Sequence, residues 1–135
     1  MIHKGGSMAY YFNKILQISF DEAIARVTEE LRKEGFGILT DIDVKTTLKK
    51  KLDVDFKKYS ILGACHPQFA YQALQAEDKI GTMLPCNVIV QELSEGKVEV
   101  ATIDPVASMM AIQNPSLGGV AQQVQAKLKK VIESL

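Results

Sequence analysis

The segment from Ser19 to Gly35 constrains the fold more than any other part of the sequence. It opens with SFDE, a capping box in which the Ser19 hydroxyl accepts a free backbone N–H and Glu22 reaches back to the Ser19 amide. Apolar residues then recur every three or four positions, and Gly35 supplies the left-handed residue that commonly ends a helix. The apolar set is Phe20, Ala23, Ile24, Val27 and Leu31. A helix over residues 20–34 with one apolar stripe has to cover another layer, which predicts a sheet beneath it.

Strand patterns on either side of this helix supply that sheet. Five apolar or alternating runs have the period of β-strands, and they lie near residues 10–18, 35–44, 59–64, 84–93 and 97–103. The fourth run is apolar on both faces, which predicts a central strand, and the turn SEGK joins it to the fifth as a hairpin. Further helices are predicted over Lys45–Leu52, packed through Leu48 and Leu52, and after Pro67, Asp104 and Asn114. The fold class is therefore α+β, a two-layer sandwich with a mixed or antiparallel sheet of about five strands and helices mainly on one face.

Charge and hydropathy exclude several classes of partner. Sixteen Lys and Arg balance 16 Asp and Glu, so no large net field recruits nucleic acid or an anionic membrane. No apolar run approaches the roughly 20 residues that a transmembrane helix needs, and we predict a cytoplasmic protein. Residues 8–135 are predicted to form a single α+β domain. Residues 1–7, MIHKGGS, share no period with the rest and are expected to be a disordered leader or a tag-like tail.

Cys65 and His66 precede Pro67 at a predicted strand-to-helix junction, with His66 near the helix N-cap. Unpaired N–H groups there favour a thiolate, so Cys65 is the candidate catalytic nucleophile, although the sequence favours a small buried residue that closes the strand. Two cysteines do not make a disulfide framework, and both are predicted to be free thiols. If the third and fourth strands are antiparallel neighbours, Cys65, His66 and Cys86 converge as candidate zinc ligands, whereas a parallel crossover would separate them.

Two carboxylates complete the candidate site residues. Asp41 and Asp43 share one face of the second strand, opposite Ile38 and Ile42, and lie about 7 Å apart. Paired carboxylates can carry out acid–base chemistry or bind a cation; alternatively they face solvent, with Asp43 capping the next helix. The predicted ligand-binding set is Cys65, His66, Cys86, Asn87, Asp41 and Asp43.

Three stretches together resemble domain-of-unknown-function family 302. They are FDEAIARVTEELRKEGFGILTDIDVKTTLKKKL, YSILGACHPQFAYQALQAEDKIGTMLPCNVIVQE and ATIDPVASM, and they cover most of the chain from Phe20 to Met109. The resemblance implies a small bacterial or archaeal α+β protein, often dimeric in crystals, whose biochemical activity is unassigned. The family pattern has Asn where this chain has His66, which argues against an essential catalytic base at that position.

Three classes of function fit these features. The first is a small-molecule-binding module that acts as a homodimer, with Met83, Met109 and Met110 as adaptable pocket walls. The second is a thiol-dependent enzyme, or a redox or metal sensor, that uses Cys65 with Cys86 and His66. The third is a structural or partner-binding dimer with an exposed apolar strip. These residues do not decide whether the protein is an enzyme, and zinc is the one cofactor that they suggest.

Overall fold

The computed structural model describes residues 9–135, so the predicted leader lies outside the described residues. The strands are β1 (Tyr11–Leu16), β2 (Gly37–Asp43), β3 (Tyr59–Cys65), β4 (Cys86–Ser94) and β5 (Lys97–Ile103). The helices are α1 (Phe20–Lys33), α2 (Val44–Leu52), α3 (Pro67–Ala76), α4 (Pro105–Ser108) and α5 (Ser116–Glu133), with a 3₁₀ helix over Asp78–Met83. Within residues 9–135, no helix is long and apolar enough to span a membrane.

The five strands form one sheet in the order β1-β5-β4-β3-β2, and each neighbouring pair is antiparallel. β4 therefore has two strands on either side of it, which confirms the predicted central strand. The predicted β4–β5 hairpin is also confirmed, with Gly96 in the left-handed region at φ 76°.

α1 and α5 cover the same face of the sheet. Their apolar stripes meet the inward side chains of β3, β4 and β5 in one core, in which Leu31 of α1 and Leu128 of α5 are 0% exposed. The sheet side of this core consists largely of Leu62, Ala64, Val88, Val90, Val98 and Val100. The predicted two-layer α+β sandwich is confirmed, and the opposite face of the sheet, called the open face below, has neither α1 nor α5 against it.

Local signals place the helix ends where the sequence predicts them. The Ser19 hydroxyl accepts the N–H of Glu22 at 3.1 Å and donates to the Glu22 carboxylate at 3.2 Å. Asp104 caps α4 by accepting the N–H of Val106 at 3.0 Å. At the start of α5, the Asn114 side chain accepts the N–H of Ser116 at 3.0 Å.

Two sequence predictions fail around β2. A bulge between Ile38 and Thr40 reverses the alternation, so Ile38 pairs with Ala64 on the helix side while Ile42 pairs on the open face. The two isoleucines therefore do not share a face. α2 follows β2 directly and buries none of its residues, and Leu52, predicted to pack, is 65% exposed.

Candidate functional site

Cys65, His66 and Cys86 line one cavity, called the thiol cavity below, between the sheet and the helices α3 and α5. β3 and β4 are antiparallel neighbours, and Ala64 pairs with Cys86, so the end of one strand lies beside the start of the other. The cavity has a volume of about 40 Å³, and its other walls include Phe36, Phe69, Leu84, Met109 and Val124. A space of this size accommodates roughly three water molecules, and apolar walls of this kind favour an empty cavity.

His66 is held by packing. Its ring lies between Phe36 and Phe69, at centroid distances of 5.4 and 4.4 Å. It is the N-cap residue of α3, but its side chain makes no capping hydrogen bond. Burial, together with the charge of Lys127, lowers the pKa of His66. Its Nδ1 is buried without a hydrogen-bond partner from another described residue, so the ring connects the loop after α1 to α3 mainly through aromatic contact.

The thiol cavity lacks the geometry of a metal site. Among residues 9–135, no three His, Cys, Asp or Glu side chains are arranged to hold a metal ion. Burial raises the pKa of Cys86 to about 11, and the neighbouring Cys65 adds to the shift. A nucleophilic thiol has to lose its proton near neutral pH, so this shift argues against Cys86 as a nucleophile. The zinc prediction for Cys65, His66 and Cys86 therefore gains no support from this geometry.

The Cys86 thiol is expected to be slow to react. In a Cys65→Ser variant, which isolates it, alkylation by iodoacetamide at pH 8 should be at least about tenfold slower than that of N-acetylcysteine, because little thiolate forms. The rate should keep rising well above pH 8, because burial, the main cause of the raised pKa, persists in this variant. A rate at pH 8 within threefold of the free thiol's would show that Cys86 is activated.

The other predicted residues lie elsewhere. Asp43 caps α2, since its carboxylate accepts the N–H of Thr46 at 3.0 Å and the Thr46 hydroxyl at 2.8 Å. These bonds lower the pKa of Asp43. Asp41 is exposed on the edge strand β2, and Asn87 pairs with Gly63 and lines a groove on the open face. The predicted ligand-binding set is thus divided among three places.

That groove, the sheet groove below, has a volume of about 370 Å³. Ala101 of β5 lies on its floor, and its small side chain leaves a depression among longer neighbours. Binding sites for small molecules have volumes of about 300–1,000 Å³, so the sheet groove is of ligand size. Its polar and aromatic lining consists of Tyr10, Tyr11, Tyr59, Asn87, Gln91, Glu99 and Thr102.

Strand register brings the polar residues of the sheet groove together. Tyr59 pairs with Gln91 and Gln91 with Glu99, so these side chains form a row across three strands. The Glu99 carboxylate accepts the side-chain amide of Gln91 at 2.7 Å and that of Asn13 at 2.8 Å. Asn13 is only 5% exposed, and its Oδ1 is buried without a hydrogen-bond partner in the described chain. Glu99 is thus fixed in place by two neutral donors.

Tyr59 is protonated over the physiological range. Burial raises the pKa of its phenol, and the negative charge of Glu99 and the nearby Tyr10 raise it further. The hydroxyl can therefore both donate and accept a hydrogen bond in the sheet groove. Sequence patterns did not identify this site, because Glu99 and Gln91 look like the solvent-facing positions of ordinary alternating strands. Asn87 is the one member of the predicted ligand-binding set that lines this groove.

The fold and the groove define a class, an antiparallel two-layer α+β sandwich with a depression on its open face. The family described as Domain of unknown function DUF302 matches residues 12–135, and the chain belongs to that family. Among solved structures, the chain is similar to the crystal structure of an uncharacterized conserved protein DUF302 from Bacillus stearothermophilus. The two are 26% identical with a TM-score of 0.84, over 92% of this chain and 96% of that one. No curated protein matches the chain.

Proposed function

We propose that this protein is a small-molecule-binding module whose ligand occupies the sheet groove. The observation that supports this most strongly is the Glu99 carboxylate, held by Asn13 and Gln91 in a groove of ligand size beside three tyrosines. A few fixed polar groups among apolar and aromatic walls are what small-molecule sites generally contain. The two free cysteines fit a reducing compartment, so we propose the cytoplasm as its location.

The thiol cavity is the weaker candidate for the same role. Its volume is about 40 Å³, against about 370 Å³ for the sheet groove, so it is too small for most organic ligands. Burial also raises the pKa of its Cys86 thiol to about 11, which disfavours Cys86 as a nucleophile at neutral pH. The thiol-dependent enzyme is therefore a less favoured function than binding in the sheet groove.

Binding can be located by NMR with a set of small phenyl-containing fragments. We expect amide shifts at Tyr59, Gln91 and Ala101 and none at Cys65 or Cys86. An Ala101→Leu variant, which fills the floor of the groove, should lose these shifts. Ala126→Leu is the matched control, because it adds the same side chain to an exposed position of α5.

Two results of that experiment would contradict the proposal. One is a set of shifts centred on the thiol cavity, and the other is fragment binding that Ala101→Leu leaves unchanged. Either result would mean that the sheet groove is not where this protein takes up small molecules.

We also propose that the protein acts as a homodimer. Ile15 and Ile42 lie on the open face of the two edge strands, β1 and β2, and they are 42% and 48% exposed. Apolar side chains at these positions favour association, and symmetric dimers are the commonest soluble assembly. Light scattering should give twice the chain mass of 14.9 kDa at micromolar concentrations. The mass of one chain across that range would contradict the dimer.

A further inference from the structure

We infer that the ligand of the sheet groove is an organic cation, a protonated amine on a compact aromatic or aliphatic body. This inference rests on the proposed function, because it specifies what the groove binds. It is carried by the placement of the Glu99 carboxylate among aromatic rings in the groove.

Glu99 gives the groove a negative charge that the described residues leave unbalanced. It is the one acidic side chain among the residues that line the groove, and the described lining contains no Lys or Arg. The donors that hold it, from Asn13 and Gln91, are neutral amides, so they orient the carboxylate without cancelling its charge. Each carboxylate oxygen also has a lone pair beyond the one used by its amide. An ammonium group can donate to these positions in a charge-assisted hydrogen bond.

The surroundings of Glu99 favour a ligand group that donates hydrogen bonds over one that accepts them. A carboxylate only accepts hydrogen bonds, so Glu99 can bind a ligand group that donates them but not one that only accepts them. Tyr10, Tyr11 and Tyr59 add aromatic rings to the walls. Ring faces attract cations, more strongly where water is excluded.

The nearest alternatives fit less well. An anionic ligand would meet the Glu99 charge without a cation in the described lining to offset it. A neutral ligand would leave that charge unpaired while removing part of its hydration, which is unfavourable. Among the three charge classes, only a cation improves the electrostatics of the groove when it binds.

Three probes of similar size but different charge test the inference on the unmodified protein. They are 2-phenylethylamine, which is protonated at pH 7, the neutral 2-phenylethanol, and the anionic 3-phenylpropionate. NMR titration should show the amine binding at least about tenfold more tightly than the alcohol, with shifts at Tyr59, Gln91 and Glu99. The anion should bind most weakly.

Substitution of the carboxylate gives a second readout. Glu99→Gln keeps the shape and removes the charge, so the affinity for the amine should fall about tenfold while that for the alcohol changes less than twofold. Glu95→Gln, in the exposed hairpin turn, is the matched control and should alter neither affinity. Because the three probes are ranked on the unmodified chain, the inference can be tested even if Glu99→Gln is unstable.

The outcomes separate the two proposals. If amine and alcohol bind equally in the groove, the binding function stands and the inference of a cationic ligand is overturned. If the anion binds most tightly, that inference is overturned as well. If none of the three shifts the groove residues while other fragments do, only the choice of cation fails. If nothing at all binds there, the proposed function fails together with this inference.

Discussion

Leu31→Ala is expected to lower the free energy of unfolding by about 2–5 kcal/mol. Leu31 is 0% exposed and lies in the core that α1 and α5 form with the sheet. Truncation there removes apolar contacts and leaves a cavity that packed neighbours refill only in part. Urea denaturation followed by far-UV circular dichroism measures the change.

The matched control for this substitution is Leu52→Ala in α2. Leu52 is 65% exposed, so the same truncation should change the free energy of unfolding by no more than about 0.5 kcal/mol. Equal losses at the two positions would show that α1 does not form the main helix layer over the sheet.

Gly35→Ala is expected to lower the free energy of unfolding by about 2–4 kcal/mol. Two effects combine at this position, which follows α1. The backbone has φ 90°, a conformation unfavourable for any residue with a Cβ atom. An added Cβ would also lie 2.7 Å from Nε2 of His66, whose ring is held between Phe36 and Phe69. Thermal and urea unfolding of the purified variant measure the loss.

Two further variants separate these effects. Gly96 has φ 76°, but nothing lies within 4 Å of its Cβ position, so Gly96→Ala should lose only the backbone part, about 1 kcal/mol. In a His66→Ala background the close contact is absent, and Gly35→Ala should then resemble Gly96→Ala. If the effect of Gly35→Ala is unchanged in that background, His66 does not pack against Gly35.

Much of the fold was predictable because its signals are local. The Ser19 capping box, the Asp104 cap followed by Pro105, and the SEGK turn each act within a few residues. A run such as β4, apolar on both faces, also predicts its own central position. The single apolar stripe of the helix after Ser19 was enough to indicate a helix layer over the sheet.

The features that sequence analysis missed depend on distant residues. The bulge in β2 changes which side chains face the core, and the sequence pattern around Ile38 and Ile42 does not predict it. Glu99 binds Asn13 and Gln91 only because β1, β5 and β4 pair in one register. A shift of one residue in one strand would turn its side chains to the other face, so the sheet groove depends on the register in which the strands pair.

The thiol residues show a different limit of sequence reasoning. Both strand arrangements for Cys65 and Cys86 were consistent with the sequence, and the antiparallel one is found. Proximity alone does not create a reactive site, however, because burial raises the pKa of Cys86 to about 11. His66 likewise lies at the predicted N-cap, but its ring is used for packing against Phe36 and Phe69.

Intermolecular NOEs between 2-phenylethylamine and isotope-labelled protein test the central claim most directly, because they locate the ligand without any substitution. We predict NOEs from the phenyl protons to the Ala101 methyl group and the Tyr59 ring, with the methylene beside the nitrogen close to the Gln91 side chain. NOEs to the Met109 methyl group and Phe69 would place the probe in the thiol cavity instead, and that result would contradict binding in the sheet groove.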